Sequence, residues 1–376
     1  MKKFKGIYLG KQYFSKEWIV QNFQNLDTKI FPPYQFKTLQ FCGQWLTGQQ
    51  TFTVQTSGTT GPSKPVQLLR RQLIASAQLT GQVLNLSQGD RALVCLSPDY
   101  IAGLMMLVRG MELGLEMIAV EPQSNPFAEF SFEEEIHFDF TAMVPLQIQT
   151  IFDSFPQGIV ILNLMKTILL GGAPISEELK NSIQNIEAPV YHTFGMTETA
   201  SHVALRRLNG SGATEKYYPL PGIKIGTDER GCLWIKGVIT DYKMITTNDL
   251  VELDSDGGFV WLGRLDNVIN TGGIKVPAEK IEQKLNEILH QLHIQRNCLV
   301  SGLPDRRLGE KIVAVFEGEP LPKEVLSKIK NKLVTKLNKY EMPKQFYFLK
   351  KFVRTTTGKI DRKGTLQMIR INSNKT

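Results

Sequence analysis

The chain has 376 residues, of which 42% are apolar, and a net charge of +8. This composition is typical of a soluble globular protein with a sizeable core and about two domains. The four cysteines are scattered without a C-x-x-C pair, the most apolar stretch (residues 158–170) is too short to span a bilayer, and the N-terminus lacks a signal-peptide pattern. We therefore expect a cytoplasmic protein without a zinc site, a disulfide framework or a membrane span.

The first two thirds of the chain alternate between strand and helix patterns. After a helix near residues 16–26, strand-like runs occur at 51–55, 92–96, 116–120, 140–144, 167–170 and 190–193, with helical patterns at 72–86, 101–113 and 176–186. Alternation of this kind indicates a layered α/β domain with a largely parallel sheet. From residue 210 to 261, short strands separated by Gly, Asp and Asn turns predict a small β subdomain.

The last third of the chain predicts a small α+β domain. Pro277 opens a helix, strands follow at 298–303 and 311–316, and a second helix and a strand at 345–349 complete the unit. We therefore divide the chain into domains 1–263 and 264–376. The basic excess lies at the end, with 15 Lys or Arg against three acids from Leu321 to Thr376.

That basic segment is open to more than one interpretation. Nucleic acid is one partner that it could bind, but no helix-turn-helix pattern or aromatic stacking motif accompanies the charges. A polyphosphate such as ATP or coenzyme A would serve equally well, and most of these lysines are typical of a solvated helix face. We expect no nucleic-acid partner.

A run rich in glycine and hydroxyl groups follows the strand at 51–55. Its members are Thr56, Ser57, Gly58, Thr59, Thr60, Gly61, Pro62, Ser63 and Lys64. The glycine spacing differs from the G-x-x-x-x-G-K-[ST] pattern of a Walker A loop. Backbone amides, hydroxyls and a lysine between a strand and a helix predict a different kind of phosphate loop. The alternative is a flexible surface linker.

Three further segments carry chemistry. Thr197 and Glu198 end a strand, and the carboxylate suits a Mg²⁺ ion that is shared with nucleotide phosphates. Asp249 could accept hydrogen bonds from ribose hydroxyls. Arg264 is a candidate phosphate or ribose ligand, and Asp266 lies at the junction of the two domains. Taken singly, these residues are also typical of a helix cap, a turn and a polar linker.

Together with Gly171-Gly-Ala-Pro174 and Thr357-Gly-Lys359, these segments resemble, in order and spacing, the adenylate-forming superfamily of acyl-CoA synthetases, peptide-synthetase adenylation domains and luciferases. The resemblance covers most of the chain. It implies that ATP and a small carboxylic acid form an acyl-adenylate, which a thiol, usually that of coenzyme A, then attacks. It also implies that the C-terminal domain is mobile and that Mg²⁺ accompanies ATP.

The resemblance assigns a role to each matching residue. The loop from Thr56 to Lys64 would hold the β- and γ-phosphates, and Gly172, Ala173 and Pro174 would border the adenine. Thr197 would contact the α-phosphate, Glu198 would hold Mg²⁺, and Asp249 and Arg264 would bind the ribose or its neighbouring phosphate. Asp266 matches the hinge, Gly272 and Gly273 would line the route of the thiol, and Lys359 matches the mobile catalytic lysine.

The sequence departs from the family pattern in a few places. The usual Thr-Gly-Asp is Thr247-Asn248-Asp249, and the usual Pro-Lys-Gly after the loop is Ser63-Lys64-Pro65. Only about 55 residues precede the phosphate loop. This predicts a first domain that is shortened at its start, with the nucleotide site retained.

Within the superfamily, the run from Phe194 through Arg206 is most similar to the o-succinylbenzoate–CoA ligases of menaquinone synthesis. That acid has two carboxylates, so the one that is not activated must be recognised. Ser201, His202 and Arg206 are the candidates, with turn and strand surface residues as the alternative. Three other functions stay open: a synthetase for another aryl or fatty acid, an adenylation enzyme that loads a carrier protein, and a non-catalytic nucleotide-binding homologue.

Overall fold

The computed structural model describes residues 4–56, 64–130, 137–354 and 360–373. Its strands are β1 (Gly6–Leu9), β2 (Gln12–Ser15), β3 (Thr51–Gln55), β4 (Pro65–Leu69), β5 (Arg91–Val94), β6 (Glu116–Ala119), β7 (Phe140–Met143), β8 (Thr167–Leu170), β9 (Val190–Met196), β10 (Ser201–Arg207), β11 (Tyr218–Pro219), β12 (Lys224–Thr227), β13 (Cys232–Lys236), β14 (Ile245–Leu253), β15 (Phe259–Arg264), β16 (Val268–Thr271), β17 (Ile274–Pro277), β18 (Cys298–Asp305), β19 (Gly309–Glu317) and β20 (Gln345–Leu349).

The helices within the same ranges are α1 (Lys16–Asn22), α2 (Pro33–Leu46), α3 (Arg70–Val83), α4 (Ile101–Leu113), α5 (Pro145–Ser154), α6 (Gln157–Asn163), α7 (Glu177–Ile183), α8 (Ala278–Gln291), α9 (Lys323–Val334) and α10 (Arg362–Ser373). Of these, none combines the length and apolar character that crossing a bilayer requires.

The largest sheet has nine strands in the order β11-β10-β9-β8-β7-β5-β6-β1-β2. The six strands from β9 to β1 pair in parallel, and the antiparallel strands are confined to the two edges. Strands β7 and β8 are buried along their whole length, as expected for parallel strands that are covered on both faces. The layered α/β fold with a largely parallel sheet is confirmed.

Two cores lie on opposite faces of this sheet, because neighbouring residues of a strand point to opposite sides. On β5, Ala92 and Val94 belong to the core that contains α3 and α4, whereas Leu93 belongs to the core that contains α5, α6 and α7. Helices α3 and α4 therefore cover one face of the sheet, and α5, α6 and α7 cover the other.

Two smaller sheets follow. Strands β12 to β15 form a four-stranded antiparallel sheet, which confirms the β subdomain. Strands β16 to β20 form a five-stranded sheet with α8 and α9 packed in one core and α10 in another. The α+β character of the last third is therefore confirmed, with the hairpin β16–β17 and α10 added to the predicted elements. The hairpin β1–β2 and helix α2 were not predicted either.

Candidate functional site

The two ends of the predicted phosphate loop, Thr56 and Lys64, follow a pair of antiparallel strands. Strands β3 and β4 pair antiparallel and end with Gln55 opposite Pro65. Beyond this pair, the amide of Thr56 donates to the carbonyl of Lys64 at 3.0 Å, and the amide of Lys64 donates to the Thr56 hydroxyl at 3.0 Å. These two hydrogen bonds hold the ends of the loop together. Ser57, Gly58, Thr59, Thr60 and Gly61 lie outside the described residues.

The expected strand–loop–helix arrangement was wrong. Strand β4 separates the loop from α3, which begins at Arg70. The reason is that the residues after the loop pair with β3, and a five-residue strand is too short for its pattern to reveal that pairing. No helix N-terminus therefore follows the loop directly, and phosphate binding by its amides, hydroxyls and Lys64 stays a prediction.

The candidate adenine loop, residues 171–174, follows β8 and lies beside His192 of β9. The Nε2 of His192 donates to the carbonyl of Ala173 at 3.2 Å, and its Nδ1 accepts from the Tyr217 hydroxyl at 2.6 Å. Burial, with the nearby charge of Arg206, lowers the pKa of His192 to about 4. The ring is therefore neutral, and it fixes the backbone of the loop that also contains Gly172 and Pro174.

Glu198 lies in a single 3-10 turn, residues 197–199, directly after β9. Thr197 beside it is buried, whereas Glu198 is half-buried. Within the described ranges no cluster of three or more His, Cys, Asp or Glu side chains could hold a metal ion. A single carboxylate fits Mg²⁺ that takes its other ligands from phosphates and water.

The turn after Glu198 is strained. Ala200 and Ser201 both have positive φ, +50° and +95°, a conformation that residues with a Cβ rarely adopt. The hydroxyl of Ser76 on α3 donates to the carbonyl of Ala200 at 2.8 Å. On the other side, a Cβ at Gly195 would lie 2.2 Å from the carbonyl of Ser201, so only glycine allows this approach. Helix α3 and β9 thus hold the turn from both sides.

Asp249 lies on β14, directly opposite Arg264 of β15. Its Oδ1 accepts a hydrogen bond from the indole of Trp261 at 2.9 Å, and its Oδ2 lies 3.6 Å from Nη1 of Arg264. The structure thus brings together two of the residues predicted to bind the ribose or its neighbouring phosphate. Trp261, which the sequence analysis did not single out, orients the carboxylate.

Asp266, the predicted hinge residue, is held by two side chains. Nη2 of Arg264 donates to it at 2.9 Å, and the amide nitrogen of Asn248 donates at 3.2 and 3.4 Å. Burial acts to raise the pKa of Asp266, but these hydrogen bonds and the charges of Arg264 and Lys363 outweigh it, so the pKa is lowered. The glycine that family members usually have in place of Asn248 could not donate this bond.

Gly272 and Gly273 form the two-residue turn between β16 and β17. Their φ values of +60° and +83° are those of a turn that favours glycine at both positions. A Cβ at Gly273 would meet nothing within 4 Å. Turn geometry therefore accounts for both glycines, and their role along a thiol route stays a prediction.

Lys359 lies outside the described residues, but the chain is anchored on both sides of it. Arg354 and Ile360 form an antiparallel bridge. Arg362, three residues after Lys359, pairs with the carboxylate of Glu282 on α8. The described residues before and after it thus both belong to the C-terminal unit.

A buried arginine that the sequence analysis missed lies next to Ser201 and His202. Arg109 of α4 is 1% exposed, and its Nη2 donates to the Ser201 hydroxyl at 3.2 Å and lies 3.4 Å from Nδ1 of His202. Among the described residues, no carboxylate pairs with it and its Nε has no hydrogen-bond partner. Burial lowers the pKa of Arg109 to about 9. Because an unpaired buried cation is unfavourable, this position favours an anionic ligand.

Arg206, the third predicted substrate residue, lies elsewhere. It pairs with Glu215 at 2.9 Å, and its guanidinium lies 5.1 Å from the ring centre of Tyr217. Tyr217 in turn contacts His192, so Arg206 belongs to the surroundings of the candidate adenine loop. The structure brings Ser201 and His202 together with Arg109, and does not bring Arg206 to them.

These features define a class of protein. A large, mostly parallel sheet covered by helices, a small antiparallel sheet that carries Asp249 and a C-terminal α+β unit make up the two-domain fold of AMP-forming ligases. The solved structure of o-succinylbenzoate CoA synthetase (MenE) from Bacillus subtilis, in complex with its acyl-adenylate intermediate, has this fold. It matches with a TM-score of 0.66 and 22% identity over 83% of this chain and 68% of its own.

Sequence comparison shows the family. The model of the AMP-binding enzyme family matches residues 44–238, and the chain belongs to that family. A solved acyl-CoA synthetase (AMP-forming)/AMP-acid ligase II-like protein from Dyadobacter fermentans is 44% identical, covers 90% of this chain and 95% of its own, and has a TM-score of 0.60.

Two curated relatives are named as 2-succinylbenzoate–CoA ligases. The 2-succinylbenzoate–CoA ligase of Lactococcus lactis is 26% identical over 82% of this chain and 69% of its own length. The probable 2-succinylbenzoate–CoA ligase of Mycobacterium tuberculosis is 27% identical over 85% of this chain and 85% of its own length. The family resemblance read from the sequence is confirmed.

Proposed function

We propose that this protein is an AMP-forming acid–thiol ligase that converts o-succinylbenzoate to o-succinylbenzoyl-CoA. The names of the curated relatives support this substrate. The single structural observation that carries the choice of acid is Arg109, a buried guanidinium without a carboxylate partner among the described residues. A dicarboxylic acid can have one carboxylate activated while the other binds this cation.

The reaction has two steps. A carboxylate oxygen of the acid attacks the α-phosphorus of ATP, the bond from that phosphorus to the bridging oxygen breaks, and pyrophosphate leaves. The sulfur of coenzyme A then attacks the acyl carbon, and AMP leaves with the electron pair on its phosphate oxygen. When bound, Mg²⁺ neutralises phosphate charge and makes pyrophosphate a better leaving group.

We assign this chain's residues to these steps as follows. The nucleotide ligands are the loop from Thr56 to Lys64 (β- and γ-phosphates), Gly172, Ala173 and Pro174 (adenine), Asp249 and Arg264 (ribose or its neighbouring phosphate), Thr197 (α-phosphate) and Glu198 (Mg²⁺). Lys359 places an ammonium between the α-phosphate and the attacking carboxylate, which repel each other as they meet. Gly272 and Gly273 line the route of the thiol, and domain 264–376 rotates about Asp266 relative to domain 1–263.

Arg109 and Ser201 bind the carboxylate that is not activated. The guanidinium supplies charge and the hydroxyl a further donor, so both oxygens of a carboxylate can be satisfied. The bound carboxylate supplies a negative charge next to Arg109, which no carboxylate in the described part of the protein does. An acid that lacks this second carboxylate leaves the cation unpaired and binds less tightly.

We further propose that the reaction takes place in the cytoplasm. Cys42, Cys95, Cys232 and Cys298 are all free thiols and buried. Unpaired cysteines are typical of proteins in reducing compartments, where ATP and coenzyme A are also abundant.

An acid-dependent pyrophosphate-release assay tests this function. We expect release with o-succinylbenzoate and ATP, and coenzyme A-dependent formation of the thioester. Release with a different acid alone would leave the reaction class standing and remove this substrate. Product formation that requires a carrier protein would indicate a carrier-loading enzyme. No release with any acid would indicate a nucleotide-binding homologue without this activity.

A further inference from the structure

His202 connects Arg109 to the turn that carries Glu198 through a chain of buried polar groups. Its Nδ1 lies 3.4 Å from Nη2 of Arg109, and its Nε2 lies 3.3 Å from the Thr80 hydroxyl of α3. The Thr80 hydroxyl donates to the carbonyl of Ser76 at 2.8 Å, one helical turn earlier. The Ser76 hydroxyl then donates to the carbonyl of Ala200 at 2.8 Å.

The chemistry of these groups fixes the direction of each hydrogen bond. A guanidinium can only donate, so Nδ1 of His202 is the acceptor and the ring proton is on Nε2. The Nε2–H group donates to the Thr80 oxygen, because the proton of that hydroxyl is already committed to the carbonyl of Ser76. One tautomer of a neutral imidazole therefore satisfies every contact of this ring.

We propose that His202 is a positioning residue that holds the guanidinium of Arg109 in place for the second carboxylate of the acid, and that it does not bind the acid itself. This inference rests on the proposed function and deepens it. The ring is 3% exposed and both of its nitrogens are engaged. It thus has no free atom to offer a ligand.

The charge of Arg109 explains why a neutral hydrogen-bond acceptor suits position 202. A carboxylate at position 202 would pair with the guanidinium and compete with the carboxylate of the acid. A cationic side chain would repel it. An apolar side chain would leave Nη2 without one of its acceptors and the guanidinium less well oriented. A neutral imidazole orients the guanidinium and leaves its charge available, and burial together with Arg109 lowers the pKa of His202 so that it stays neutral.

Two substitutions test the two ring nitrogens of His202 separately. His202→Asn places an oxygen where Nδ1 was and keeps an acceptor for Arg109. His202→Gln places its amide one bond further out, which keeps a partner for Thr80 and removes the acceptor. We expect the KM for o-succinylbenzoate to rise about tenfold or more in His202→Gln and to stay within about threefold of the wild type in His202→Asn. The KM for ATP should be unchanged in both variants.

A third substitution tests the charge argument. His202→Asp adds a carboxylate beside Arg109, and we expect this variant to lose the preference for o-succinylbenzoate over the analogue whose second carboxylate is replaced by hydrogen. Turnover of that monoacid analogue, with ATP at saturation, shows for each variant that the protein is folded and that the nucleotide site works.

The outcomes are distinct. If the wild type releases no pyrophosphate with o-succinylbenzoate, the proposed function fails. If the wild type is active and His202→Gln keeps the wild-type KM for the acid, the positioning role is overturned. It is also overturned if the KM for the acid rises equally in His202→Asn and His202→Gln. A KM that rises equally for both acids in His202→Gln would also overturn it, because that result indicates a general structural defect.

Discussion

The indole nitrogen of Trp261 donates a hydrogen bond of 2.9 Å to Oδ1 of Asp249, across the neighbouring strands β15 and β14. The other oxygen of this carboxylate faces Arg264. A neutral donor therefore sets the orientation of the group that we assign to the ribose, without removing its charge. This orientation is a property of the protein and requires no nucleotide.

Replacing Trp261 by Phe should raise the KM for ATP about five- to tenfold, because the carboxylate of Asp249 loses the donor that orients it. The acid KM should change little. Initial rates with the acid at saturation measure the effect. Trp234→Phe is a matched control, since Trp234 packs on Gly226 of the same sheet and lies opposite Thr246 in the strand register. Equal ATP KM values in the two variants would contradict the assignment.

Arg109→Met should have opposite effects on stability and on activity. Arg109 is a buried cation without a carboxylate partner in the described part of the chain, and replacing it by an apolar side chain of similar volume should raise the free energy of unfolding of the ligand-free protein by about 1–4 kcal/mol. The same change should raise the KM for o-succinylbenzoate about a hundredfold, because a charge-assisted contact is lost. Urea denaturation and steady-state kinetics measure the two effects.

Arg70→Met provides the control for Arg109→Met. Arg70 is also buried, but it donates to the carbonyls of Trp45 and Gln49 and lies near Glu112. We expect its replacement to lower the free energy of unfolding. If Arg109→Met is destabilised as much as Arg70→Met, Arg109 has a structural partner that our proposal does not include.

His192 should make the protein acid-sensitive. Its pKa is about 4 in the folded protein, because of burial and the charge of Arg206, and 6.5 in the unfolded chain. Between these values the unfolded chain binds a proton that the folded protein does not. The free energy of unfolding therefore falls as the pH drops below 6.5, by about 2 kcal/mol at pH 5. Above 6.5 this contribution does not change with pH.

The measurement compares urea denaturation at pH 7 and pH 5 in the wild type and in His192→Gln. Between pH 7 and pH 5, the free energy of unfolding should fall by about 2 kcal/mol less in the variant than in the wild type. His290→Gln, at an exposed position of α8, should keep the wild-type profile. A His192→Gln variant with the pH dependence of the wild type would show that His192 does not cause this loss.

Lys359→Ala should slow adenylation and spare thioester formation. An ammonium about 4 Å from the reacting anions at an effective dielectric near 20 is worth roughly 4 kcal/mol, or about a thousandfold in rate. Pyrophosphate release reports the first half-reaction, and transfer from supplied acyl-adenylate to coenzyme A reports the second. The neighbouring Lys351→Ala variant should retain both. Equal damage to the two half-reactions in Lys359→Ala would remove the assignment.

The spacing of apolar residues predicted individual strands and helices, because these depend on residues that are close together in the sequence. The buried strands β7 and β8 and the amphipathic helix α8 follow directly from the spacing of their apolar residues. The pairing of β3 with β4 and the contact of Trp261 with Asp249 depend on strand register. Two strands of this length contain too little pattern to specify register before the fold is known.

Arg109 was missed for a different reason. The segment of α4 that contains it is otherwise almost wholly apolar, and the pattern predicts a buried helix. Its partners Ser201 and His202 are more than ninety positions away in the chain. One signal was available: Arg109 is the single cation in the run of α4. A lone cation in a helix that must be buried needs a special environment.

Ser76 and Thr80 are one turn apart on α3, and each is bonded to a different part of the site. This shared attachment has a consequence for engineering the substrate range. If Arg109 alone were replaced, the imidazole of His202, the hydroxyls of Ser76 and Thr80 and the left-handed turn after Glu198 would keep an arrangement that suits an arginine. A transplant to another acid would have to replace these groups as one set, and libraries that vary them together should yield active enzymes more often than libraries that vary Arg109 by itself.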